Sequence, residues 1–362
     1  MKKKLLPIAL IMIAVLMTAC STRDSKEQKD KGQNPVSSGE NTGPADDNSD
    51  TASKGQKEKE ISGWIVYWDS DILTELSDRG KNIGTLCYFA SYFKEDHSLF
   101  LPEEVKDTYS KVKQKYGKER FKSYLTFVND IRMNDGTSKL KDTELLYQLL
   151  ETKSSRDKHI ADILSMAGED SYDGIEIDYE AIREDKTLWH YFTQFAEELY
   201  QQASKKGLKV RILLEPNAPV DEAAFPKGPE YVIMCYNLFG YGTQPGPKAD
   251  EPFLEEMVRK MKGFHNVNFA LATGGFDFEE GGAVKQLTEE EAILIKKDYG
   301  AETQRDDGSR CVVFSYTDKA GKNHEVWYAD KAAIDYWLQI LENNGEYKVS
   351  LWRLGGNVTV EP

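Results

Sequence analysis

One apolar run of the chain carries three regularly spaced acids and reads Tyr172-Asp173-Gly174-Ile175-Glu176-Ile177-Asp178-Tyr179-Glu180. Side chains alternate between the two faces of a β-strand, so Glu176, Asp178 and Glu180 share one face. The two isoleucines on the other face suit a layer that packs against helices. A strand of this kind in an otherwise apolar sheet predicts an acidic face that points into an enclosed interior.

Seven further runs are rich in apolar and β-branched residues. They cover residues 63–68, 83–89, 121–128, 208–214, 231–236, 267–273 and 349–354. Helical patterns lie between many of them, for example at 145–166 and 187–206. Strands that alternate with helices in this way predict an α/β fold, specifically a (β/α)8 TIM barrel. A doubly wound open sheet is the competing fold, but no glycine-rich phosphate loop supports it.

The longest gap between runs separates the seventh from the eighth. Residues 311–316 and 324–328 form two alternating runs on either side of a polar turn that contains Gly321. Such a pattern predicts a β-hairpin. We therefore expect a small insertion between strands seven and eight, beside the active face of the barrel.

The N-terminus has the pattern of a processing segment. Three lysines precede an apolar run at 5–19, which is shorter than the roughly 20 residues that span a bilayer and predicts an export signal. The sequence Leu16-Met17-Thr18-Ala19-Cys20 resembles a bacterial lipobox, although Met17 departs from it, and Cys20 would carry the lipid. An ordinary secretory signal is the alternative. Residues 21–60 are polar and predict a disordered tether, which leaves 61–362 as the folded domain.

Composition limits the other classes of function. The chain has 47 basic and 61 acidic residues and a net charge of −14, which argues against nucleic acid as a partner. It has 5 His and 4 Cys without a CxxC or HExxH motif, so we expect neither a metal site nor a cofactor. Cys87 and Cys235 fall in separate apolar runs and read as small buried side chains rather than a disulfide. We expect a monomer.

The shared face of acids is the candidate for chemistry. Successive acids on one face of a strand are about 7 Å apart at the backbone, and three enclosed carboxylates do not all ionise readily. At least one should hold a proton near neutral pH. Glu180 comes last, and would lie nearest the C-terminal mouth where barrel enzymes act. A structural cluster of acids without catalysis is the alternative.

The stretch 173–180 resembles the DGxDxDxE signature of family 18 glycoside hydrolases, the chitinase-like enzymes; Glu176 stands where the family usually has Asp. Residues 234–237 resemble the family's MxYD element, with Asn237 in place of Asp, and 350–355 resemble its strand-eight segment. The stretch 324–330 followed by that segment is typical of the subgroup of spore-cortex and cell-wall hydrolases. The resemblance covers residue 61 to the C-terminus.

The resemblance implies substrate-assisted, retaining cleavage of a β-1,4 bond next to N-acetylglucosamine. Glu180 would be the acid and base. Asp178 would stabilise the acetamido nitrogen, Tyr236 would bind the acetamido oxygen, and Glu176 would share a proton with Asp178. The substrates implied are chitin oligomers, peptidoglycan strands or the chitobiose core of N-glycans.

Four further residues are candidates for substrate binding. The resemblance implies that Trp352 forms the floor under the sugar, although a core tryptophan is the alternative. Asn237 is a candidate for binding the acetamido group or Asp178, or for capping its strand. Tyr67 and Glu215 end strands one and five and are candidates for lining the mouth, with packing as the alternative for Tyr67.

Two other functions stay open from the sequence. A barrel that has lost turnover would be a lectin, and a lipid-anchored solute-binding protein would share the lipobox and the tether. The intact Glu180 disfavours the lectin, and the acid-lined strand has no part in the solute-binding protein. We expect the enzyme on the extracytoplasmic face of a bacterial membrane.

Overall fold

The computed structural model describes residues 61–69 and 72–361 of the chain. The predicted export signal, the lipid attachment at Cys20 and the tether at 21–60 lie outside the described residues. They therefore stay predictions.

The described residues contain two β-sheets. Their strands are β1 Ile61–Val66, β2 Ile83–Lys94, β3 Leu99–Phe100, β4 Lys122–Arg132, β5 Ser138–Lys139, β6 Gly174–Asp178, β7 Lys209–Leu214, β8 Glu230–Met234, β9 Val267–Ala272, β10 Gly274–Glu279, β11 Val284–Leu287, β12 Gln304–Arg305, β13 Val312–Thr317, β14 Asn323–Ala329 and β15 Lys348–Trp352.

The larger sheet is a closed parallel barrel. Its strands follow the order β1, β2, β4, β6, β7, β8, β9 and β15, and β15 pairs with β1 to close the ring. Each of these strands overlaps one of the eight runs predicted from the sequence, so the (β/α)8 barrel is confirmed. The closure excludes the doubly wound open sheet.

Helices connect the barrel strands, except between β7 and β8, where the described residues contain no helix. They are α1 Ile72–Arg79, α2 Glu103–Tyr116, α3 Thr143–Leu150, α4 Lys153–Glu169, α5 Lys186–Lys205, α6 Glu251–Lys260, α7 Glu289–Tyr299 and α8 Lys331–Asn344, with short 3₁₀ turns at Gly80–Asn82 and Met261–Gly263. The pattern at 187–206 is α5, as predicted. The pattern at 145–166 is two helices, because Thr152 and Ser155 form a capping box that starts α4.

Apolar side chains lie on both sides of the barrel wall. Ile175 and Ile177 of β6 are fully buried in the outer layer, where they cluster with side chains of the surrounding helices. The interior contains a smaller cluster of Trp64, Cys87, Leu213, Val232, Met234 and Ala270. The acidic face of β6 therefore lies in a barrel interior that contains only this small cluster of apolar side chains.

The predicted insertion is larger than a hairpin. Strands β13 and β14 do form the predicted hairpin, but they belong to a five-stranded antiparallel sheet in the order β11, β10, β14, β13 and β12. The sequence analysis missed β10 because it follows the barrel strand β9 after a single residue, Thr273. Gly274, with a φ of +63°, redirects the chain at this junction.

Within 61–69 and 72–361, no helix combines the length and the apolar character needed to cross a membrane.

Candidate active site

The acids of β6 lie on the inward face of the barrel. Thr126 and Val128 of β4 pair in register with Glu176 and Asp178. Glu176 is fully buried and Asp178 is 4% exposed. The side chain of Glu180, two residues beyond the end of β6, is 24% exposed. The three acids thus run from the barrel interior to its mouth, which is the arrangement the alternation predicted.

Glu176 is bound into the barrel interior. Its Oε1 accepts hydrogen bonds from Trp64 Nε1 at 2.6 Å and Thr126 Oγ1 at 2.7 Å. Its Oε2 lies 3.1 Å from Nε of Arg211, which is only 2% exposed. Because Glu176 has this cation, the structure gives it a partner other than Asp178. The sequence analysis missed Arg211, although a charged residue within the apolar run of β7 is a usable signal.

The surroundings of Asp178 disfavour the ionised form of its carboxyl group. Burial raises the pKa of Asp178 well above its usual value, and the nearby charge of Glu180 raises it further, while Lys141 acts in the opposite direction. Among the described residues, its Oδ1 has no hydrogen-bond partner. Asp178 is therefore suited to hold a proton near neutral pH.

Glu180 forms an ion pair that the sequence analysis did not predict. Lys141 Nζ contacts Glu180 Oε1 directly and lies 4.0 Å from Asp178 Oδ2. Lys141 follows the short strand β5, in a loop that carries no motif. The pair places an ammonium group against the candidate acid.

The backbone around Glu180 is held by neighbouring side chains. Asn129 Oδ1 accepts a hydrogen bond from the Glu180 N–H at 3.0 Å, and Asn129 Nδ2 donates to the Glu180 carbonyl at 3.1 Å. Glu215 Oε2 accepts from the Ala181 N–H at 2.8 Å. Burial and the charge of Glu180 raise the pKa of Glu215. Glu215, predicted to line the mouth, supports the loop after β6.

Tyr236 lies beside the acids, just beyond the end of β8. Burial raises its pKa well above the usual value, and the charges of Asp178 and Glu180 add to the effect. The phenol therefore stays protonated and can donate a hydrogen bond. The next residue, Asn237, is exposed and adopts a φ of +60°.

Aromatic side chains line the mouth. Trp352 ends β15 and is partly buried, with its ring 5.9 Å from that of Trp64 and 5.0 Å from that of Phe89. Trp68 continues this group, 6.1 Å from Phe89, and is 51% exposed. Tyr67 packs edge-on against Trp68 at 5.0 Å. These rings provide flat apolar surfaces next to the acids.

Tyr67 also has a polar contact at the rim of the barrel. Its hydroxyl oxygen accepts a hydrogen bond from Nη2 of Arg132 at 3.1 Å.

No group of three or more His, Cys, Asp or Glu side chains that could hold a metal occurs in the described part of the chain. The site thus combines two buried carboxyl groups, a carboxyl group at the mouth, a phenol and aromatic surfaces.

The chain has distant relatives by sequence, although no family model matches it. The uncharacterized glycosylase YvbX of Bacillus subtilis is 25% identical over 233 residues, which cover 59% of this chain and 66% of that protein. The cortical fragment-lytic enzyme of Bacillus subtilis is 22% identical over 229 residues, which cover 57% of this chain and 52% of that protein. The chain thus matches between about half and two thirds of their length.

The fold is similar to that of solved chitinase-like barrels. The spore cortex-lytic enzyme SleL of Bacillus megaterium superimposes with a TM-score of 0.71 at 17% identity, covering 85% of this chain and 73% of that one. A class V chitinase from Nicotiana tobaccum, solved in complex with NAG4, gives 0.66 at 12% identity, covering 83% and 95%. At these identities the similarity shows the shared barrel fold.

Proposed function

We propose that the chain is a glycoside hydrolase of the family 18 type that cleaves β-1,4 bonds next to N-acetylglucosamine. The observation that carries the proposal is the inward row of acids on β6, which ends with Glu180 at the mouth beside Tyr236 and Trp352. The names of the relatives, which are glycosylases and cortex-lytic enzymes, support the same class of reaction.

The proposed reaction uses the substrate as its own nucleophile. Glu180 donates a proton to the glycosidic oxygen while the carbonyl oxygen of the 2-acetamido group attacks the anomeric carbon. The leaving sugar departs with the proton, and an oxazolinium ion remains. Glu180 then removes a proton from a water molecule that attacks the same carbon, the bond from this carbon to the acetamido oxygen breaks, the oxazolinium ring opens to restore the acetamido group, and the configuration is retained.

The other residues stabilise this intermediate. Asp178, as a carboxylate, faces the positive charge that develops on the acetamido nitrogen, and Tyr236 donates a hydrogen bond to the acetamido oxygen. Glu176 fixes the base of the acidic row through Arg211 rather than by sharing a proton. Trp352 supports the sugar ring, and Asn237 and Tyr67 are further candidates for contacts with the sugar.

The mechanism has a direct test in the substrate. A fluorogenic di-N-acetylchitobioside should be hydrolysed with retention of configuration, whereas the matched cellobioside, which has 2-hydroxyl groups, should not be cleaved. The difference is expected because only the acetamido group supplies the attacking oxygen. Equal cleavage of both would point to a nucleophile of the protein and would contradict the proposal.

The substrate class is proposed to be a glycan that contains N-acetylglucosamine. One relative is a cortical fragment-lytic enzyme and one solved barrel carries NAG4, so peptidoglycan and chitin strands are both supported. Digestion of peptidoglycan, chitin and a high-mannose glycoprotein in parallel, with mass spectrometry of the products, distinguishes these from the N-glycan core. Release of products from none of the three would contradict the assignment.

A second candidate is a lectin that binds the same glycan without cleaving it. The ion pair between Lys141 and Glu180 favours it, because it occupies the carboxyl group that must donate a proton. Binding of an N-acetylglucosamine tetramer, measured by calorimetry, without detectable products after prolonged incubation would establish this function in place of the enzyme.

We also propose that the protein is anchored by a lipid on Cys20 to the extracytoplasmic face of a bacterial membrane. The lipobox-like sequence and the polar segment 21–60 support this localisation. In a membrane fractionation experiment, the Cys20→Ser variant should move to the soluble fraction while the parent chain stays with the membrane. A Cys20→Ser variant that stays with the membrane would exclude the lipid anchor.

A further inference from the structure

The ion pair at the mouth brings Lys141, a residue outside the acidic row, into contact with the proposed acid Glu180. We propose that Lys141 is a positioning residue whose ammonium group holds the Glu180 carboxylate in the free protein and moves to Asp178 when substrate binds. The inference rests on the proposed function. It concerns the one described cation that contacts Glu180 and also lies within 4.0 Å of Asp178.

The backbone of Lys141 is fixed in the position that this role needs. Its N–H donates to Asp130 Oδ1 at 2.8 Å, and its φ is +52°. Asn129, which is fully buried, donates to the carbonyl of Asp142 as well as to that of Glu180. One side chain thus joins the loop of Lys141 to the loop of Glu180, so the two charged groups meet without a large rearrangement.

Several acidic groups converge on this ammonium group. Burial alone would lower the pKa of Lys141, but its attraction to Glu180, Asp178 and Asp130 raises it. The side chain is 29% exposed, so part of it faces solvent. Lys141 therefore stays charged through the reaction and can shift between two acceptors.

Other titratable groups face Glu180 from the neighbouring elements. Glu215, beyond β7, and Tyr236, beyond β8, both sense its charge. Arg183, in the loop after β6, lies close enough to influence Glu215. These groups remain in place in every variant below, so a change caused by Lys141 is separable from theirs.

The shift of Lys141 accompanies a transfer of one proton. In the free protein, burial favours a proton on Asp178, and Lys141 contacts Glu180. When the glycosidic oxygen takes the place of the ammonium group, the proton passes from Asp178 to Glu180. Asp178 is then the carboxylate that faces the acetamido nitrogen, and Lys141 pairs with it. Total charge is unchanged, because the proton only passes from one carboxyl group to the other.

The test is the pH dependence of kcat/KM for chitobioside hydrolysis, which reports the free enzyme. In Lys141→Met the ammonium group is absent, so the negative charges of the neighbouring carboxylates raise the pH at which the Asp178–Glu180 pair loses its last proton. The alkaline limb of the profile should therefore move up by roughly one to three pH units in Lys141→Met. Lys141→Arg keeps the charge and should keep the limb within about half a unit of the parent enzyme.

Lys139→Met is the matched control. Lys139 ends β5, two residues before Lys141, but pairs with Asp142 and Glu144, so its loss should leave the limb in place. If the alkaline limbs of the pH profiles of the parent enzyme and Lys141→Met superimpose, the inference about Lys141 is wrong, while the proposed hydrolase activity is unaffected. If Lys141→Met does not fold, Lys141→Gln replaces it. A parent protein that cleaves no substrate overturns both proposals.

Discussion

Asp178 occupies the middle of the acidic row, where the barrel buries a carboxyl group between two others. Its raised pKa follows from desolvation first and from the charge of Glu180 second. A group whose pKa is raised by folding stabilises the folded state only below its ordinary pKa, and this contribution is lost as the pH rises through the raised value. The residue proposed to stabilise the intermediate thus reduces stability at neutral pH.

The variant Asp178→Asn should show this effect. Asn cannot ionise. The unfolding midpoint of the variant should therefore exceed that of the parent protein by an amount that grows between pH 4 and pH 8. The gain is about 1.4 kcal/mol for each unit by which the folded and unfolded pKa values differ. Thermal unfolding at pH 4, 6 and 8 measures it. A difference that does not change with pH would contradict the raised pKa.

Asp142→Asn is the control of opposite sign. Burial alone would raise the pKa of Asp142, but Lys139 and the N–H of Leu145 lower it. This carboxylate stabilises the fold above its ordinary pKa, so Asp142→Asn should lose stability relative to the parent protein as the pH rises from about 2 to 5.

At the scale of single residues, the sequence pattern predicted part of the site. Strict alternation along β6 places Glu176, Asp178 and Glu180 on one face, and this depends only on backbone geometry. Lys141 and Asn129 could not be predicted in the same way. The contact of Lys141 with Glu180 depends on how the loop after β5 returns to the mouth, and that of Asn129 depends on how β4 lies against the residues after β6, which no local pattern specifies.

Among the elements, β7 contributes the polar link at the base of the acidic row. Arg211 contacts Glu176 of β6, Glu230 of β8 and Ser350 of β15. A buried ion pair that loses one partner leaves the other charge uncompensated. The network therefore ties four barrel strands together through one side chain.

Arg211→Met should destabilise the protein by about 3–5 kcal/mol, because Glu176 would remain fully buried without its cation. Urea unfolding gives the free energy. Arg259→Met is the comparison, since Arg259 is 67% exposed and pairs with Glu255 one helical turn away, where a loss below about 1 kcal/mol is expected. Equal losses for the two variants would show that the buried network does not stabilise the barrel.

The inserted sheet depends on a close backbone approach at β10. A Cβ atom on Gly275 would lie 1.7 Å from the carbonyl oxygen of Trp327 in β14. Gly275→Ala should therefore separate these strands and lower stability by roughly 1–3 kcal/mol. Thermal unfolding and limited proteolysis of the insertion measure the effect.

Gly263→Ala is the matched control, because a Cβ atom there would meet nothing within 4 Å. We expect its stability to stay within about 0.5 kcal/mol of the parent protein. If Gly275→Ala has an equally small effect, the two strands do not approach as closely as described.

The whole molecule shows where sequence patterns suffice and where they fail. Eight separated runs, each long enough for one strand, predicted the closed barrel because parallel strands buried on both faces are continuously apolar. The insertion was underestimated because only Thr273 separates β10 from β9, an interval too short to mark β10 as the start of a strand in a different sheet. Similarly, α3 and α4 merged into one pattern because a capping box interrupts a helix without breaking its periodicity.

The most direct test of the central claim is hydrolysis of tri-N-acetylchitotriose by the parent chain and by Glu180→Gln. Its natural leaving group needs a proton, and loss of a general acid typically lowers the rate by about 10²–10⁴-fold. We predict a loss of this size in kcat, with tetramer binding and the unfolding midpoint retained. Equal rates for the two proteins would show that Glu180 is not the acid.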